Sequence, residues 1–125
     1  MRVKDAVGRF GEQTAARYLE AAGLTIVERN WRAPRVAGSD LRGELDLVAC
    51  EGDALVVVEV KTRSGTGFGT PAEAVTADKA RRVRRLAVAW LAGHPGERRT
   101  SVRFDVVSVV RGPEGVTVEH LRGAF

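Results

Sequence analysis

Two consecutive apolar segments constrain this chain more than anything else in it. Residues 44–50 (ELDLVAC) and 54–62 (ALVVVEVKT) are rich in Val, Leu and Ala, and only Glu51-Gly52-Asp53 separates them. β-Branched residues fit a pleated, packed surface, so both segments read as strands. Gly-Asp between them is a two-residue hairpin signal with glycine at the first turn position. With Gly52 and Asp53 as the turn, Glu51 pairs with Ala54 and Asp46 falls opposite Glu59. Side chains two residues apart share a sheet face, so Glu59 and Lys61 lie together and Asp46 joins them. A slip of one residue would send Asp46 to the other side.

The flanking sequence supplies the other elements. Residues 5–22 read as a helix on the spacing of Ala15, Ala16, Leu19 and Ala22, with Gly23 where a left-handed cap is expected. Residues 24–31 read as a strand. The Pro-, Gly- and Ser-bearing stretch 33–42 reads as a mobile loop, and 64–70, with three glycines, as another. A helix is expected over 76–92, with Val83, Leu86, Trp90 and Leu91 on one face. Strands follow at 102–110 and 115–121, around a Gly112-Pro113-Glu114-Gly115 turn. The order is αβββαββ. It implies one α/β domain over residues 1–125, with a central mixed five-stranded sheet flanked by helices.

Composition narrows the chemistry. The single cysteine, Cys50, excludes an intrachain disulfide, and with only His94 and His120 beside it a structural zinc site is not expected. No run approaches the roughly 18 apolar residues that span a bilayer. The charged N-terminus, Met1-Arg2-Val3-Lys4-Asp5, is no signal core. A cytoplasmic protein with no membrane partner is the expectation. The net charge is +4 with a pI of about 10.0, and only three of the 20 basic residues are Lys. Such a surface is either simply solvated or draws a polyanion.

Glu59 sits in the run Leu55-Val56-Val57-Val58-Glu59-Val60, where an unpaired carboxylate would cost several kcal/mol. Facing carboxylates also repel across strands. A cation between Asp46 and Glu59 removes both costs, and hard oxygen donors suit Mg²⁺ or Mn²⁺. Lys61 adds an ammonium suited to stabilising charge in hydrolysis at phosphorus. The plainer reading is a solvated edge with Asp46 paired to Lys61. Glu12 stands at one end of the first helix's apolar stripe, either supporting a metal site or serving as a helix N-terminal acid. Glu44 alternates onto the face of Asp46 and ranks below the others because it opens the strand. Cys50 falls on the same parity. On the second helix, Lys79 leans to the inner face, while Arg81, Arg84 and Arg85 form a basic stripe that either meets phosphates or is merely solvated. Asp105 is expected in a structural ion pair with an arginine, and Phe68 as a loop anchor. No phosphate-loop or dinucleotide pattern is present.

Together these residues resemble the PD-(D/E)XK motif of the restriction-endonuclease-like superfamily: Asp46, then Glu59-Val60-Lys61 on the next strand. More closely, the chain resembles the YraN-like family of predicted endonucleases, which are similar to archaeal Holliday-junction resolvases. The matching pieces are Gly8-Arg9-Phe10-Gly11-Glu12, Glu28-Arg29-Asn30-Trp31-Arg32, Gly43-Glu44-Leu45-Asp46-Leu47-Val48, Val58-Glu59-Val60-Lys61-Thr62-Arg63, Phe68-Gly69-Thr70-Pro71, Lys79 and Arg103-Phe104-Asp105-Val106-Val107. Leu45 stands where the motif's name has proline. The resemblance implies a restriction-endonuclease-like fold and a metal held by Asp46, Glu59 and the Val60 carbonyl. It also implies Lys61 as the catalytic lysine and Glu12 as the first-helix acid. DNA is then the implied partner, contacted by Lys79, Arg81, Arg84, Arg85 and Arg63. Recognition of shape rather than sequence is expected, since no base-reading element is evident. A homodimer is the implied assembly. The alternative is a nucleic-acid-binding module that keeps the fold without cutting.

Overall fold

The structure is a computed structural model, and it describes residues 3–65 and 75–125. The loop expected over 64–70, with Phe68, falls largely outside the described residues. The first element, α1, is the helix Val3–Ala21, and the strand β1 follows at Thr25–Arg32. Between them Gly23 adopts φ 99°, the left-handed cap that glycine takes without a Cβ penalty. The strands β2 (Glu44–Glu51) and β3 (Ala54–Ser64) form the expected hairpin, with Glu51 paired to Ala54 and Gly52 at φ 57°. The helix α2 spans Ala77–Gly93, and the Thr76 hydroxyl caps it by accepting from Lys79 N. The strands β4 (Ser101–Gly112) and β5 (Gly115–Leu121) complete the chain.

The five strands form one mixed sheet in the order β1-β2-β3-β4-β5. The neighbours β3 and β4 are parallel and the other pairs antiparallel. A parallel neighbour needs a crossover, and α2 provides it. The helix α1 covers one face, where Ala15, Ala16 and Leu19 pack on Leu47, Ala49, Val56, Val58, Val107 and Val109. The helix α2 covers the other, where Val83, Leu86, Ala87 and Trp90 pack on Val48, Leu55, Val57 and Phe104. Coverage of both faces explains why β3 is apolar without interruption from Leu55 to Val58. The 33–42 loop, expected to be mobile, is fastened at both ends. Ala33 and Leu41 pack in the α2-side core, and Asp40 meets Arg85 at 2.8 Å.

Asp105 is fully buried at the junction of β4, β5 and the C-terminal residues. It accepts from Arg103 Nε and Nη2 at 2.8 and 2.9 Å and from Gly123 N at 3.0 Å, and His120 Nε2 faces it at 2.8 Å. The expected structural pair with an arginine is present, enlarged by two further donors. Among the described residues no helix is long and apolar enough to cross a membrane.

Candidate metal centre

The β2–β3 ladder runs regularly from the turn to Leu47↔Val58 and stops there. Beyond that point the Asp46 side chain replaces a backbone partner: its Oδ2 accepts from Val60 N at 2.8 Å. Alternation breaks at the same place. Leu47 and Ala49 face α1 and Val48 faces α2, yet Leu45 also packs in the α2-side core. Asp46 is thereby turned to the α1 side. This corrects the expected face. Regular alternation puts Asp46 on the side of Glu59 and Cys50, whereas the irregular step between Asp46 and Leu47 separates it from Cys50, which packs toward α2.

The turn brings three carboxylates together. One oxygen each from Glu12, Glu44 and Asp46 lies within 4.8 Å of the others. They open into a cavity of about 490 Å³ between α1 and the parting strands, whose walls include Val60, Lys61 and Thr62. Glu12 reaches it because α1 runs very close over β3. A Cβ built on the preceding residue, Gly11, would sit 1.7 Å from Thr62 Oγ1. The amide nitrogen of Asn30 faces the Glu12 carboxylate at 3.1 and 2.5 Å.

Glu59 approaches from the opposite layer. It is nearly buried, and Lys79 Nζ of α2 holds its Oε1 at 3.2 Å. Its carboxylate still adjoins Asp46 across the gap. Burial, then the Glu59 carboxylate, push Asp46 up to about 8, against the pull of the Val60 N–H. Both causes favour the protonated form of Asp46. Burial, followed by Glu44 and Glu59, also raises Glu12, and Arg9 opposes them. Like charges crowded out of water favour protonation, or else a bound cation.

The other candidate residues are distributed as follows. Lys79, expected against nucleic acid, is engaged by Glu59. Arg81 pairs with Asp78 and Arg85 with Asp40, and Arg84 lies 4.6 Å over the Phe104 ring. Arg63 pairs with Val110 in the β3–β4 ladder, two residues beyond Lys61. The arginine stripe is thus internally partnered, although Arg81 and Arg85 stay more than half exposed and such exposed pairs exchange readily. Glu44 belongs to the carboxylate cluster despite its low rank. Its signal was its even spacing from Asp46.

Residues 11–109 match the uncharacterised protein family UPF0102. A UPF0102 protein of Frankia alni is 60% identical over 126 residues, covering 100% of this chain and 98% of its own length. Another from Frankia casuarinae is 56% identical over 126 residues and covers 100% of both chains. One from Beutenbergia cavernae is 57% identical, with 98% of each chain covered. The chain belongs to the UPF0102 family.

Proposed function

We propose that this member of the UPF0102 family is a Mg²⁺- or Mn²⁺-dependent endonuclease that hydrolyses phosphodiester bonds of DNA in the cytoplasm. Branched or flap structures are its expected substrates. The observation that supports this most is the convergence of Glu12, Glu44 and Asp46 within 4.8 Å beside Lys61. The donors are all hard oxygens, which suit these cations. Burial and the neighbouring carboxylates raise Asp46, so a cation placed among these acids would relieve their mutual repulsion.

Asp46, Glu59 and the Val60 carbonyl would hold the cation, with Glu12 and Glu44 close enough to Asp46 to contribute. Bound there, it would supply acidity to a hydrolytic water and offset charge on the phosphate oxygens. The chain's own residues do the rest. The Val60 N–H fixes the Asp46 carboxyl, and Lys79 fixes Glu59 from the far layer. Lys61 belongs to the cavity wall, and its ammonium would stabilise the negative charge that grows on phosphorus-bound oxygens as the bond breaks. The exposed arginines of α2 guide the backbone toward the centre. A homodimer would present two such centres to the two strands of a branched substrate.

The test is cleavage of single-stranded, duplex, flap and four-way-junction DNA with Mg²⁺, Mn²⁺ or EDTA. Glu59→Ala and Lys61→Ala abolish metal-dependent cutting and keep the wild-type circular dichroism. Full activity in either variant would remove the mechanism. Tight, salt-sensitive binding without turnover on any substrate would point to a binding module on the same fold.

A further inference from the structure

A second cavity, of about 280 Å³, lies on the other side of Glu12. Arg9 and Gln13 of α1 and Arg29 and Asn30 of β1 line it, together with Glu12 and Leu47. Glu12 also lines the carboxylate cavity, so the two spaces share that residue as a wall. Apart from the shared Glu12, the first cavity adds the carboxylates of Glu44 and Asp46, and the second adds Arg9, Arg29 and two amides.

The local backbone builds this recess. Adjacent residues of a regular strand point to opposite faces, yet Arg29 and Asn30 line the same cavity. Asn30 adopts φ 51°, a left-handed conformation in the middle of β1, and this kink breaks the alternation. Asn30 faces Glu12 through its amide nitrogen, while Arg29 Nη1 donates to Gln13 Oε1 at 2.8 Å. The Arg29 bond goes to a neutral amide, so it orients the guanidinium without cancelling its charge. A guanidinium carries five donors in a planar fork, a geometry matched to phosphate oxygens.

We propose that this recess is a phosphate subsite, which takes the DNA backbone phosphate next to the one held over Glu12, Glu44 and Asp46. The inference rests on the nuclease reading for the identity of the strand. It adds a position for the strand: the Arg9 and Arg29 recess shares Glu12 with the carboxylate cavity, so a backbone crossing one lies against the other.

The experiment is fluorescence anisotropy with labelled single-stranded and duplex DNA, in EDTA, across a salt series. The wild type is compared with an Arg9→Ala/Arg29→Ala double variant and with Arg98→Ala/Arg99→Ala, which removes the same charge from a distant surface. The first double variant is expected to bind roughly tenfold or more weakly, with a salt slope reduced by roughly one to two. The second changes affinity far less. An Arg9→Lys/Arg29→Lys variant, which keeps the charge and is less disruptive to folding, retains the salt slope and binds with intermediate affinity. Equal losses in the two alanine variants, or no loss in the first, would overturn the subsite. If binding is lost selectively but the wild type never cuts with metal, the subsite stands and the nuclease reading falls. Normal metal-dependent cutting with unchanged binding in the first variant sinks the subsite alone.

Discussion

Two inward-turned aspartates, Asp46 and Asp105, sit in the same sheet and behave in opposite ways. Asp105 has no exposed surface, and burial alone would push its carboxyl up. Arg103, the Gly123 N–H and His120 outweigh that and hold it below the usual range. Asp46 receives one backbone N–H and otherwise faces other carboxylates, so burial and Glu59 push it up to about 8. Burial raises both, and the donors around Asp105 reverse it there. A carboxylate surrounded by donors is part of the architecture. One surrounded by acceptors is a place the fold leaves for a cation or a proton.

Removing each aspartate is the sharpest way to break this contrast. Asp105→Ala leaves Arg103 without its buried partner and is expected to destabilise the fold by about 3–5 kcal/mol, read by urea denaturation. Asp46→Asn is expected to stabilise the metal-free protein at pH 8 while abolishing cleavage. If Asp46→Asn proved as destabilising as Asp105→Ala, the two carboxylates would be equivalent and the contrast lost.

The pH dependence separates them next. Asp46 has a folded pKa raised above its ordinary 3.8, so the unfolded chain releases this proton first. Its contribution to stability is complete below about 4 and is lost as pH rises toward about 8. Asp105 is depressed, so its contribution is present above the ordinary carboxylate range and is lost as pH falls through the lowered value. Melting temperatures in EDTA should therefore fall on both arms. Asp46→Asn should flatten the alkaline arm alone, and so should Mn²⁺ in the wild type. An alkaline arm indifferent to both would mean that Asp46 does not carry the strain.

Two smaller effects sharpen the picture. Gly11→Ala drives a methyl group into Thr62 and is expected to cost about 1–3 kcal/mol. It should also weaken Mn²⁺ binding by lifting Glu12 from the cluster, and wild-type stability would show that α1 has room to move. Lys79→Met removes the cation that fixes Glu59 and should weaken Mn²⁺ binding modestly, measured by calorimetry. Tighter binding in this variant would assign Lys79 to competing for the site rather than assembling it.

Much of the fold was legible because it rests on local signals. The Gly52-Asp53 turn set the register of the central hairpin from the turn to Leu47↔Val58, and Gly23 and the Val-rich runs marked their own elements. The α2-side core follows the helical spacing of Val83, Leu86 and Trp90. The arginine stripe of α2 was legible as a pattern, but its pairing with Asp40 and Phe104 was not, since both come from distant loops and strands.

The acids at the site illustrate the division most closely. Strand periodicity and the hairpin turn, both local properties of the chain, placed Asp46, Glu59 and Lys61 at one end of adjoining strands. Which way Asp46 faces was decided only in three dimensions. Its carboxylate captures the Val60 N–H where the strands part, and that capture breaks the alternation on which any reading of faces depends. The approach of Gly11 to Thr62, the grouping of Glu12 with Glu44 and the hold of Lys79 on Glu59 likewise arise between elements distant in sequence. Short-range steric preferences write the strands and helices into the chain. Where they meet is settled by packing and by the competition of carboxylates for donors.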